Sequence, residues 1–172
     1  MEGLKARRGD LSGPVLAILV TLILLAIGAV IIAYFTLLAG PAPTPVLVVK
    51  DQPIAYNSTT NNKAVVEVVV ANIGTAQVTL KAGSGGTNLT ITGPPGLVSA
   101  LSATGGPGVT QTLASGNTAI APGSSVTLKF TFTGGWDKFE PYRSASARLL
   151  LIDTAGNTIA QFEVSIRIIG GG

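Results

Sequence analysis

Residues 11–39 carry no charge. A secretory signal has an apolar core of ~7–15 residues with a small-x-small cleavage site after it. The run here is about twice that length, and the position suited to cleavage precedes it, in the basic leader Met1–Gly9. Cutting there leaves the apolar segment on the mature chain. A helix from Leu11 to Leu38 would be about 42 Å long, against ~30 Å of hydrocarbon in a bilayer. It is apolar on every side, which demands burial all round, in lipid or among other helices.

Local punctuation frames this helix. Ser12 suits an N-cap, and Pro14 falls in the first turn, where its missing N–H costs nothing. Ala26, Ala29 and Ala33 recur at helical spacing beside Gly28, either as ordinary membrane composition or as a close-packing stripe. Gly40-Pro41-Ala42-Pro43-Thr44-Pro45 stops the helix in a stiff, extended hinge. The expected organisation is a cleaved leader over 1–9, the hydrophobic helix over 10–39, a Pro-rich hinge over 40–45 and an outer domain over 46–172.

Charge and composition narrow the function. Three of the eleven Lys and Arg (Lys5, Arg7, Arg8) lie in the leader; from Asp10 on, eight basic residues face seven acidic ones, a net charge of +1. The leader cluster reads as a positive-inside signal that sends the C-terminal domain outside. With no basic patch and nine aromatic residues in 172, nucleic acid is not an expected partner. Cysteine and histidine are absent, which removes a disulfide framework, most transition-metal sites and most nucleophile–base pairs.

Beyond the hinge the hydrophobic period changes from 3.6 to 2. Val46–Lys50 and Lys63–Ala71 read as strands apolar on both faces. Ser125–Thr133 alternates, with Val126, Leu128, Phe130 and Phe132 inward. Arg148–Ile152 and Phe162–Ile168 flank the turn Asp153–Asn157 as a hairpin, and weaker strands are expected at 77–81, 88–92 and 109–113. About seven short strands with Gly/Pro turns predict a sandwich. The fold class is therefore α+β: a long N-terminal hydrophobic α-helix followed by an antiparallel Ig-like β-sandwich.

The leader and helix resemble the N-terminus of an archaeal type IV pilin with a class III signal peptide. That family is cut by a membrane peptidase on the cytoplasmic side, after a Gly or Ala preceded by a charged residue. Arg8-Gly9 fits those positions, with Asp10-Leu11 as the new N-terminus. Ser12-Gly13-Pro14-Val15-Leu16-Ala17-Ile18 is similar to crenarchaeal adhesion pilins more than to archaellins. Many relatives begin with an aliphatic residue after the cut; Asp10 departs from that, so cleavage after Asp10 is the alternative. The resemblance covers residues 7–39 specifically and 46–169 only in architecture. It implies a prepilin peptidase, an assembly ATPase and a membrane platform protein as partners, and identical subunits in a helical filament. Asn72-Ile73-Gly74 and Ala121-Pro122-Gly123-Ser124-Ser125 are phrases common in archaeal surface sandwiches, though weak as motifs.

Few other residues suggest chemistry. Asn57-Ser58-Thr59 and Asn88-Leu89-Thr90 meet the N-glycosylation pattern, so N-linked glycans are the one modification expected and no cofactor is. Asp137–Glu140 and Asp153–Asn157 offer oxygen ligands without the density of a Ca²⁺ loop. Trp136 reads as a core anchor or an exposed contact, and Lys50 and Asp51 as surface. No catalytic or metal-binding residue stands out, and Gly93–Gly96 and Gly105–Gly108 read as turns rather than phosphate loops. The expected protein is a non-enzymatic filament subunit for surface adhesion, inserted in the cytoplasmic membrane before assembly and extracellular after it. A signal-anchored monomeric surface protein and an archaellin of a rotary filament are the alternatives.

Overall fold

A computed structural model describes residues 13–38, 40, 42–58, 62–103, 106, 108–114 and 116–170. The chain divides into two units, Met1–Ala42 and Pro43–Gly172. In the first, helix α1 runs Gly13–Leu38 without a charge, and none of its residues is buried. At about 39 Å it exceeds the hydrocarbon thickness. Its threonines keep their hydroxyls inside the helix: Thr21 Oγ1 donates to Ala17 O (2.8 Å) and Thr36 Oγ1 to Ile32 O (2.5 Å). Neither threonine hydroxyl of α1 therefore needs water.

The second unit holds ten strands and two short helices among the described residues. In chain order they are β1 (Leu47–Val49), β2 (Ile54–Ser58), β3 (Lys63–Asn72), β4 (Val78–Leu80), β5 (Asn88–Gly93), α2 (Pro95–Ser102), β6 (Thr110–Thr112), β7 (Thr118–Ile120), β8 (Ser125–Phe132), α3 (Trp136–Phe139), β9 (Ser144–Ile152) and β10 (Thr158–Ile169). Strand β3 pairs antiparallel with β8 along one edge and with β1 and β2 along the other. Strand β2 also pairs parallel with β10, which continues antiparallel through β9 and β5 to β6. β2 thus joins the two layers of a mostly antiparallel β-sandwich; β4 and β7 form a separate pair. The fold is the α+β arrangement that the sequence predicts.

Alternation builds the core. On β8, Leu128, Phe130 and Phe132 are buried and Val126 half-buried, while Thr127 and Lys129 face out. On β3, Ala64, Val66, Val68 and Val70 point in, and Val65, Val69 and Ala71 occupy the other face, itself partly covered. On β10, Ile166 and Ile168 are buried and Phe162 and Val164 half-buried on one face, opposite Glu163, Ser165 and Arg167. Phe132 and Phe139 meet edge-on with centroids 5.3 Å apart, a geometry that aromatic rings favour.

The expected strand set was incomplete. β2 and β7 were not anticipated, and β9 begins at Ser144 rather than Arg148 because Ser144-Ala145-Ser146-Ala147 alternates small residues that carry little hydrophobic signal. Gly93–Gly96 is not a plain turn. Gly93 closes β5 and Pro95 opens α2, where proline needs no N–H partner, and α2 buries Leu97 and Leu101 at i, i+4.

Candidate functional site

The processing residues Arg8, Gly9, Asp10 and Leu11 lie outside the described residues. Within them, α1 is the largest candidate surface: Leu22, Leu24, Leu25, Val30 and Ile32 are each more than 60% exposed. Gly28, with nothing within 4 Å of where a Cβ would stand, opens a hollow of about 440 Å³ between Thr21, Leu24, Leu25, Ala29 and Ile32. Of the expected small-residue stripe, Gly28 and Ala29 line this hollow, Ala26 lines a second one with Ile27, Val30 and Ile31, and Ala33 lines neither.

The two sequons sit differently. Asn57 is exposed on β2, opposite Ala64. Asn88 is half-buried on β5, between β6 and β9, and its Nδ2 donates to Gly86 O (3.1 Å). Thr90 of the second sequon shares a hydrogen bond with Thr110 (2.9 Å); Thr59 of the first lies outside the described residues.

The carboxylates considered for Ca²⁺ serve the fold. Asn62 Nδ2 donates to Asp137 Oδ1 (2.9 Å), and Lys138 Nζ to Asp137 Oδ2 (2.6 Å). These two donors, Lys138 first, hold the Asp137 carboxyl below its ordinary value. Asp153 closes the β9–β10 turn by accepting the Asn157 N–H (2.8 Å), the leading cause of its own lowered pKa. Trp136 is 7% exposed and belongs to the core, which decides its role as an anchor. Lys50 and Asp51 are exposed.

On the outer face of β2–β3–β8, Lys129 Nζ (2.7 Å) and Tyr56 Oη (2.8 Å) both donate to Glu67 Oε1. The register puts Glu67 directly opposite Lys129. The Lys129 ammonium, then the Tyr56 hydroxyl, push the Glu67 pKa down; the same hydrogen bond raises Tyr56.

The two weak phrases converge at the end where the chain enters the sandwich. Asn72 is fully buried and uses its whole amide: Nδ2 donates to Ala76 O (2.7 Å) and Ile120 O (3.1 Å), and Oδ1 accepts from Gly74 N (3.0 Å) and Val46 N (3.4 Å). Ile73 N donates to Val46 O (2.8 Å) and Thr75 N to Thr44 O (2.9 Å). A Cβ on Gly74 would collide with Thr44 O and Val46 N, so only glycine lets this strap lie flat. From the second phrase, Gly123 N donates to Asn72 O (2.8 Å) and Ser124 O accepts Asn72 N (2.9 Å). Residues 44–46, the last two of the hinge and the one after it, are thereby fastened to the sandwich.

No family model matches this chain, and no curated protein does. Among solved structures it is similar to a β-glucosidase from Listeria innocua in complex with glucose (13% identity, TM-score 0.31, 76% of this chain and 16% of that one). A FixG-related protein from Vibrio parahaemolyticus (11%, TM-score 0.32) is aligned over 75% of this chain and 96% of its own. OgpA from Akkermansia muciniphila (16%, TM-score 0.33) is aligned over 74% and 30%. This chain thus spans about a sixth of the β-glucosidase, and at TM-scores near 0.3 none of these likenesses bears on what it does.

Proposed function

We propose that this chain is a structural subunit of an extracellular archaeal type IV pilus, polymerising through α1 with the β-sandwich exposed, and serving surface adhesion. The observation that carries this reading is α1 itself, a 26-residue helix without a charge and without one buried residue. Burying a Leu, Ile or Val side chain is worth ~1.5–3 kcal/mol, so leaving α1 in water would cost roughly tens of kcal/mol. Moving it from lipid into a bundle of like helices is nearly neutral, because both surroundings are apolar. A membrane would then be its reservoir and a filament core its destination, with the resemblance-implied peptidase, ATPase and platform protein in between. The sandwich has a complete core of its own, which suits a module carried outward.

The same length and hydropathy favour a second reading, a signal-anchored surface protein that stays in the bilayer. Intact mass and N-terminal sequencing of protein sheared from the cell surface separate the two. A filamentous chain beginning at Asp10 or Leu11 supports the pilin; a membrane-held chain still beginning at Met1 overturns it. Gly9→Val is expected to stop maturation of a pilin and to leave a signal anchor unchanged.

A further inference from the structure

The outer face of the sandwich carries a groove at the start of β9, roughly 25 Å along that strand from the Asp153–Asn157 turn. That turn shares its end of the domain with β4, where Leu80 bridges Asp153, so the groove lies away from that end. Its volume is about 420 Å³, and Pro94, Pro141, Tyr142, Arg143, Ser144 and Ser146 line it. That is within the ~300–1,000 Å³ range of small-ligand sites.

Its walls are fixed by the backbone. Tyr142 N donates to Phe139 O (2.9 Å), and Arg143 O accepts Ile168 N (2.9 Å), tying both residues to α3 and to the end of β10. The Tyr142 hydroxyl lies over Gly96 at the start of α2, in space that any Cβ would take. The groove thus combines two proline rings and a tyrosine with two serine hydroxyls and a guanidinium.

Its charge is unbalanced. Lys129, Lys138 and Arg148 each have a carboxylate within 2.8 Å. Among the described residues, Arg143 and Arg167 pair with none, as do Lys50, Lys63 and Lys81, but Arg143 lines the groove and the register sets Arg167 opposite Ser144. Among the described residues no carboxylate lines the groove. Arg143 in the lining and Arg167 on the neighbouring strand, both exposed, put positive charge beside the trough.

We propose that this groove binds the carboxylate-bearing sugars of an acidic polysaccharide. A uronate ring would lie against Tyr142 and the prolines, with its hydroxyls toward Ser144 and Ser146 and its carboxylate on Arg143. The inference deepens the adhesive reading above and rests on it for its biological setting.

The test uses full-length protein, as sheared filaments or detergent-solubilised chain, on immobilised polygalacturonate and on its methyl ester, which keeps the ring and removes the charge. Retention on the acid is expected, with none on the ester. Arg143→Gln should weaken it at least about tenfold, the scale of one charge-assisted contact, and Tyr142→Ala should also weaken it. Arg148→Gln, whose guanidinium already serves Glu163, should bind as wild type. Equal loss in Arg143→Gln and Arg148→Gln, equal retention on the ester, or no wild-type retention each overturns the proposal. Electron microscopy of the same preparations separates the two readings. Filaments that ignore the polymer reject the groove alone, and an unassembled membrane-held chain that binds it rejects the pilus alone.

Discussion

Twenty large apolar side chains stand exposed among the described residues. Seventeen of them lie on α1, and three, Val46, Ile73 and Ile169, on the sandwich. The sandwich answers its own hydrophobic demand: Phe130, Phe132, Phe139 and seventeen Leu, Ile and Val residues are buried in its core. The helix answers none of its own and gains its free energy from whatever surrounds it. Stability therefore means two different things in one chain. For the sandwich it is a folding equilibrium of a single molecule; for α1 it is a partition between water, lipid and other helices.

The largest way to break that contrast is a charge at the middle of the helix. Leu25→Lys should cost about 2.5–3.5 kcal/mol in membrane insertion and abolish filament yield, while the melting of the sandwich stays at the wild-type value. Cell fractionation, microscopy and a thermal melt read these effects separately. A Leu25→Lys chain that assembles normally would show that α1 is not the core element. The mirror experiment is Phe130→Ala, which should destabilise the sandwich by about 3–5 kcal/mol and leave membrane retention unchanged. Retention that falls together with the melt would mean that the two units do not behave independently.

How legible each unit was in the sequence follows from the same contrast. The helix is a long, uniform signal, and its observed end at Leu38 matches the stop at Gly40 and Pro41. In the sandwich, strands with strong alternation such as β8 and β10 were readable, because period 2 appears directly in Phe130, Phe132, Ile166 and Ile168. β7 has three residues, and the first half of β9 is Ser-Ala-Ser-Ala; both are set by pairing rather than by their own hydrophobicity. The candidate sites were less legible. Asn72 and Gly74 stand in a recognisable phrase, but their role needs Thr44, Val46 and Ile120, which are distant in sequence. Tyr142 and Arg143 carry no motif and become a site only when β5, α2 and β10 meet beside them.

Smaller effects sharpen the contrast within the sandwich. Asn72→Leu strands the buried Ile120 carbonyl, at a cost of about 1–3 kcal/mol, and frees the strap at the end of the hinge. Hydrogen exchange should accelerate first at the amides of Val46 and Gly74, with those of β8 and β9 still protected. Exchange that rises evenly over the whole domain would show that Asn72 supports the general fold rather than the strap. The sequons offer a smaller test, without a stability change. Exposed Asn57 should carry any N-glycan, so Asn57→Gln should lower the intact mass of native protein by one glycan and Asn88→Gln should not. The reverse pattern would mean that modification precedes folding of β5.

The smallest expected effect concerns pH, and it belongs to the sandwich alone, because the only titratable side chain between Gly13 and Leu38 is that of Tyr34. Glu67, Asp137 and Asp153 all have carboxyl pKa values lowered in the fold, Glu67 by Lys129 and Tyr56, Asp137 by Lys138 and Asn62, and Asp153 by Asn157. A carboxyl with a depressed folded pKa binds protons less readily when native than when unfolded. Its stabilisation is fully present above the ordinary carboxylate range and disappears as pH falls through the folded value. The sandwich should therefore melt at a constant temperature near neutrality and at progressively lower temperature in acid. Glu67→Gln should flatten part of that slope, and the membrane partition of α1 should not move with pH at all. These carboxylates are half-buried or exposed, so the slope should be shallow. An acid slope unaltered in Glu67→Gln would assign it to Asp137, which ties α3 to Asn62, and Asp153, which closes the β9–β10 turn. A partition of α1 that shifts in acid would place a titrating group against the helix, and the separation of the two units into independent equilibria would fail.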